Sequence, residues 1–177
     1  MTTPILIFIS GQSCAGKSTL IKEFQKILPR LYHIGYDKVK WWLSVYNRLQ
    51  DRDIVQSLLS WFIEVILDRG VNCISDAYFT HPDQYRSLQE KANSKSYRIL
   101  SIHLECDEAT LLTRFHERIE RARIEWMQRI SVTEDSVFLE NMKKPYYIPE
   151  ESVIFDTSNQ SLEWIVNQTL PLISSHQ

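Results

Sequence analysis

Residues 5–19 read ILIFISGQSCAGKST. Ile5–Ser10 is an apolar run suited to a buried strand, and GQSCAGKST follows it without a break. Gly11, Gly16, Lys17 and Ser18 fit the phosphate-loop pattern G-x-x-x-x-G-K-[ST], with Thr19 next. Gly11 and Gly16 permit backbone conformations that a Cβ would obstruct. The N–H groups between them, on Gln12, Ser13, Cys14 and Ala15, can then turn inward around a phosphate. Lys17 adds a mobile positive charge for the β- and γ-phosphates, and Ser18 offers a hydroxyl to Mg²⁺. Leu20, Ile21, Phe24, Ile27 and Leu28 continue at helical spacing, so a helix points its positive dipole end at the same anion. A strand before the motif and a helix after it are the context the motif requires, and the stretch predicts a nucleoside triphosphate site.

The rest of the composition narrows the setting. A chain of 177 residues, 44% hydrophobic and 24% charged, predicts one globular domain over residues 1–177. A net charge of −2 gives no global basic field for nucleic acid, which leaves only a local basic groove. Cys14, Cys73 and Cys106 are odd in number and far apart, which predicts reduced thiols and a cytoplasmic protein. The scattered histidines show no zinc-ligand spacing. The first apolar run flows straight into the phosphate loop, so it reads as a core strand and not as a signal peptide or membrane span.

Further along, helices are expected over 17–28, 38–48, 51–69 and 82–93, and from Asp107 and Ser161 onward, with Pro171 bending or ending the last. Strands are expected over 32–36, 71–77, 97–105 and 152–155. In the 51–69 helix Ile54, Leu58, Trp61, Phe62, Val65 and Ile66 form the expected apolar face. In the helix after Asp107 the stripe is Leu112, Phe115, Ile119, Ala122 and Trp126. The stretch 127–149 is polar and carries no clear periodicity. Alternating strands and helices imply right-handed crossovers and a mostly parallel sheet covered on both faces. Ligands in such sheets bind beyond the carboxyl ends of the strands. Asp37, Asp76 and Asp156 all fall at those ends, on the rim that carries the phosphate loop.

Each candidate has a plain alternative. Asp37 can accept the proton of a substrate hydroxyl beside the γ-phosphate, or cap the helix that follows. Asp76 can hold Mg²⁺ through water or orient a substrate, or satisfy loop amides at a strand end. Arg114, Arg118 and Arg121 share a helix face and can close over a triphosphate. Alternatively Glu117 with Arg121 and Glu120 with Arg123 form ordinary surface pairs. Trp41, Trp42 and Tyr46 either line a pocket for a flat or sugar-like substrate or pack against the body. Cys14 contributes its backbone N–H, and no catalytic role falls to its thiol.

Taken together, GQSCAGKST, IGYDK, ISDAYF, HLECDEATLLTRFHER and FDTSN make the chain resemble the small P-loop kinases of the predicted-kinase group. These are AAA-domain-type ATP-binding kinases related to chloramphenicol phosphotransferase, zeta-toxin kinases and the kinase domain of bacteriophage polynucleotide kinase. The resemblance spans nearly the whole chain. It implies an adenylate-kinase-like five-stranded sheet in the order 2-3-1-4-5, ATP and Mg²⁺ as cofactors, and a lid over about residues 114–149. It further implies Asp37 as the substrate base, Arg118 with Arg114 as lid arginines, and Thr157 and Ser158 near the adenine. The chain departs from the pattern where Lys38 follows Asp37 in place of a second acidic residue. It departs again where Tyr78 and Phe79 follow Asp76 in place of a small polar residue. Both departures fall on the acceptor side.

The leading expectation is therefore a kinase that moves the γ-phosphoryl group of ATP to a hydroxyl of a small molecule. A nucleotide switch is the competing class, and the absence of N-K-x-D and LSGGQ motifs counts against it. A polynucleotide 5′-hydroxyl kinase is a third reading; Lys38, Lys40, Trp41 and Trp42 are compatible with it, while the acidic net charge lends it no support.

Overall fold

The computed structural model describes residues 3–76, 79–125 and 132–174. Its strands are β1 (Ile5–Gly11), β2 (Tyr32–Ile34), β3 (Cys73–Ser75), β4 (Arg98–Glu105) and β5 (Val153–Asp156). All pair in parallel, in the order β2-β3-β1-β4-β5. The placement of β1 at the centre follows from its side chains. Ile5, Ile7 and Ile9 bury into one core and Leu6 and Phe8 into the other, so both faces of this strand must be covered.

Helices α1 (Lys17–Ile27), α5 (Glu108–Glu125), α6 (Asp135–Met142) and α7 (Leu162–Ser174) cover the first face. Helices α2 (Tyr36–Lys40), α3 (Arg48–Asp68) and α4 (Pro82–Ser94) cover the second. The polar stretch without clear periodicity yields α6, which docks through Phe138, stacked on Phe115 with ring centres 4.1 Å apart. Parallel strands in this order, covered on both sides, form a three-layer sheet in the order that the resemblance implies. Among the described residues no helix is long and apolar enough to cross a membrane.

Several local expectations change. The helix expected over 38–48 is instead the five-residue α2, followed by turns that lay Trp42 edge-on against Phe62 of α3. On α3 the buried stripe is Val55, Leu59, Ile63 and Leu67, while Ile54 and Trp61 of the expected face stay 53% and 57% exposed. Both stripes are apolar, so packing on the sheet decided which one turned inward. On α5, Leu111 is fully buried and Leu112 only partly so. Trp126 lies outside the described residues, as do Ala77, Tyr78 and residues 127–131 of the expected lid. Helix α7 runs through Pro171 to Ser174, the missing N–H falling in its last turn.

Candidate functional site

Beyond the carboxyl end of β1, the loop Gln12–Gly16 turns back into α1. Gly11 has φ +141°, and a Cβ there would stand 2.6 Å from the Leu104 carbonyl oxygen of β4. Gly16, at the head of α1, has φ +94°, a conformation L residues rarely adopt. The turn closes with the Ala15 N–H donating to the Gln12 carbonyl at 3.2 Å. Gln12 Nε2 donates to the Met142 carbonyl at 3.2 Å, which ties the loop to α6. Lys17 Nζ donates to the Gly11 and Gln12 carbonyls, each at 2.7 Å. Burial holds Lys17 below the usual lysine pKa, Asp76 and Asp37 pull it back up, and Arg118 pushes it down. Ser18 and Thr19 are exposed on the first turn of α1.

Two cavities meet at this loop. The loop cavity, about 600 Å³, is lined by Ser13–Leu20 together with Arg114, Arg118, Arg121 and Thr157. The second, an aromatic cavity of about 540 Å³, is walled by Tyr36, Tyr46, Phe79, Tyr146 and Tyr147, with Arg52 of α3 and Asn141 of α6. Ser13, Lys17, Asp37 and Asp76 line both, and so form the seam between them.

Gly35 heads α2 and no side chain caps it, so Asp37 sits inside the first helical turn and does not act as the cap. Its carboxylate is 68% exposed and accepts from Lys40 Nζ at 2.7 Å. Lys40 itself is buried, its ammonium 4.5 Å from the centre of the Trp41 ring. Asp76, just beyond β3, accepts a hydrogen bond at 3.0 Å if His33 Nε2 carries the proton. Sequence reasoning missed His33, and it missed Gly35, where a Cβ would collide with the Asp76 carboxylate. The only trace of either was their position around the end of β2. Of the aromatic trio, only Tyr46 lines either of these two cavities, its hydroxyl 2.8 Å from that of Tyr36. Trp42 packs on Phe62 and stays 63% exposed.

The arginines of α5 divide into two kinds. Arg114 donates to Thr157 Oγ1 at 3.1 Å and to the Thr157 carbonyl at 2.7 Å, so it is anchored to the turn after β5. Arg118 faces the loop cavity and makes no hydrogen bond or ion pair among the described residues. Arg121, expected on the surface, also lines this cavity, with its Nε donating to the Glu117 carbonyl at 3.4 Å. Ser158 lines neither cavity: its hydroxyl accepts from the Asp107 N–H at 2.8 Å, at the head of α5. Asp156 also stays outside both cavities. It accepts from the Ser158 N–H and from Asn159 Nδ2, which hold its carboxyl below the usual range.

Cys14, Cys73 and Cys106 are free thiols, and burial pushes that of Cys73 up to about 12. Among the described residues no group of three or more His, Cys, Asp or Glu side chains could hold a metal ion. The donor set at the loop, one exposed hydroxyl on Ser18 and one carboxylate on Asp76, suits Mg²⁺. That ion takes few protein ligands and completes its shell with water and phosphate oxygens.

A protein-family model described as an AAA domain matches residues 6–135. No curated protein matches the chain. A kinase candidate from Chloroflexus aurantiacus superposes with a TM-score of 0.70 at 19% identity, covering 99% of this chain and 100% of that one. The APS kinase CysC of Mycobacterium tuberculosis, solved with AMPPNP and APS, gives 0.62 at 12% identity, covering 98% and 99%. A sugar kinase from Janibacter gives 0.59 at 13%, covering 96% and 94%. At such identities the shared property is the fold. The family match, which spans more than half of the chain and includes the phosphate loop, goes further: this protein belongs to the AAA domain family and carries it on the P-loop kinase fold.

Proposed function

We propose that this protein is an ATP-dependent phosphotransferase that moves the γ-phosphoryl group of ATP to a hydroxyl of a small molecule. The observation that carries the reading is the seam: Lys17, Asp37 and Asp76 line the loop cavity and the aromatic cavity alike. A triphosphate in the first and a hydroxyl compound in the second would meet there. The family match and the kinase folds of the structural neighbours support a nucleotide-dependent transferase. A cavity of about 540 Å³ suits a small molecule.

In this mechanism the backbone N–H groups of Gln12, Ser13, Cys14, Ala15 and Gly16 hold the donor phosphates, and Lys17 leaves its carbonyl partners to pair with them. Thr157 flanks the nucleotide end of the cavity, Arg114 fixes that turn, and Ser158 supports it from outside. The Asp37 carboxylate accepts the proton of the acceptor hydroxyl. The acceptor oxygen forms its bond to the γ-phosphorus as the bond from that phosphorus to the β–γ bridging oxygen breaks, and ADP leaves. Arg118 neutralises charge on the transferring group. Ser18 and Asp76 are the residues to hold Mg²⁺, which when bound neutralises the donor phosphates. The described parts of the expected lid, residues 114–125 and 132–149, then exclude competing water.

The test is transfer of labelled γ-phosphate from ATP to nucleosides, aminoglycosides, phenicols, amino sugars and 5′-hydroxyl oligonucleotides. Label is expected on a small molecule. Label on the oligonucleotide alone would replace the acceptor class, and release of inorganic phosphate with every acceptor would make the protein an ATPase.

A further inference from the structure

The charges lining the aromatic cavity do not cancel one another. Asp37 is paired with Lys40 at 2.7 Å, and Asp76 stands 3.0 Å from His33. Lys17 lies on the seam against its own loop carbonyls. Lys144, which also lines the cavity, donates to Asn141 Oδ1 at 2.6 Å and lies 3.9 Å from Glu140. Arg52 differs from all of these. It is half-buried, lines the cavity, and makes no hydrogen bond or ion pair among the described residues. It lies one turn into α3, near the positive end of that helix, so the helix dipole does not favour a cation there.

We propose that Arg52 is an acceptor-binding residue, and that the acceptor is a ring-bearing hydroxyl compound that also carries an oxyanion: a phosphate, a sulfate or a carboxylate. A planar guanidinium with no counter-ion among the described residues matches such groups with two parallel hydrogen bonds, which a neutral sugar cannot offer. Leaving a charge half-buried beside a neutral ligand is unfavourable, so the cavity discriminates against uncharged acceptors. Tyr36, Tyr46, Phe79 and Tyr147 supply flat walls for the ring, and the Asp37 carboxylate waits at the seam for its hydroxyl. The assignment rests on the preceding reading only in taking this cavity as the acceptor's.

The experiment is equilibrium binding by calorimetry on the full chain, with the nucleotide site saturated by AMPPNP. The probes are matched sets: glucose, glucose 6-phosphate and glucuronate; uridine and uridine 3′-monophosphate. At least one anionic member is expected to bind about tenfold or more tightly than its neutral parent. The phosphate and carboxylate arms show which oxyanion is read. Arg52→Gln is expected to erase that margin, and Arg52→Lys, which keeps the charge without the fork, to retain part of it. Undiminished AMPPNP affinity in both variants is the control for folding. No anionic advantage in either set, or an advantage that survives Arg52→Gln, overturns the assignment. Failure of the kinase reading looks different: anion preference lost with Arg52→Gln, yet no phosphoryl transfer to any acceptor, would keep Arg52 and remove the transferase.

Discussion

The loop cavity takes one wall from an unbroken stretch, residues 13–20, whereas the aromatic cavity gathers side chains from α2, α3, α6 and the segments around Phe79 and Tyr147. In the first, the proposed binding groups are backbone N–H dipoles, which any sequence carries once Gly11 and Gly16 let the chain turn. In the second, nearly every contact belongs to a side chain, and each substitution redraws the site. The same fold can therefore keep one phosphoryl donor while its acceptor changes freely. Mutations on the two sides should accordingly fail in different ways.

The largest effect is expected at the seam on the donor side. Lys17→Ala should lower phosphoryl transfer by about a thousandfold or more. The melting temperature of the unliganded protein should not fall, because the variant removes a charge whose burial already lowers its pKa. The sign follows from proton binding. Between that lowered value and the ordinary lysine value the unfolded chain binds the extra proton, so native Lys17 makes stability rise with pH through this window. Thermal melts across alkaline pH, with and without ATP, check both parts; undiminished transfer would remove the phosphate-loop mechanism. On the acceptor side, Asp37→Asn should keep ATP affinity and cut transfer by about a hundredfold. Full turnover would leave Asp37 as no more than a partner for Lys40.

The donor half was legible in the sequence because its information is local. The motif, the strand before it and the helix after it are contiguous, and the alternation Ile5-Leu6-Ile7-Phe8-Ile9 marks a strand buried on both faces. The strand order came from the resemblance, and the pairing agrees with it. Of the acceptor half, Asp37, Asp76 and Tyr46 were legible and the rest was not, for two physical reasons. Helix α3 is apolar on two stripes, so periodicity could not say that Val55 and Leu59 turn inward while Ile54 and Leu58 do not. Asn141, Met142, Tyr146 and Tyr147 come from a stretch without clear periodicity and reach the cavity only through tertiary packing, as the Phe138–Phe115 stack shows for α6. Arg52 stands three and seven residues ahead of Val55 and Leu59, on the stripe that turned inward, and nothing in its local sequence set it apart.

Within the loop cavity the two arginines of α5 sharpen the contrast between holding and reacting. Arg118→Ala should slow transfer by about ten- to a hundredfold while changing ATP affinity little, if its interaction is made with the transferring group as proposed. Arg114→Ala frees the Thr157 turn and should instead weaken ATP binding by several-fold, with less effect on the transfer step. Single-turnover rates measured beside equilibrium ATP binding separate the two. Equal losses of both quantities in Arg118→Ala would give it the same anchoring role as Arg114.

The smallest effect tests whether the donor side owes its rigidity to fixed internal hydrogen bonds. Asp107 heads α5, where its carboxylate accepts from the Thr110 N–H at 2.8 Å and from the Thr110 hydroxyl at 2.7 Å. Hydrogen bonding to Ser158 first of all, and then these bonds from Thr110, hold its carboxyl down at about 2. A carboxyl whose pKa is depressed on folding adds stability above its unfolded value, and that contribution is lost as pH falls through the native value. Asp107→Asn keeps an acceptor oxygen and removes the charge. Because the group is exposed, the variant should melt only about 1–3 °C lower at pH 7. The deficit should stay constant down to about pH 4.5 and shrink below about pH 4, as the wild-type chain begins to lose the same charge on unfolding. A deficit that persists unchanged to pH 3 would mean that the carbonyl geometry of this cap, and not its charge, holds α5 and its arginines over the loop.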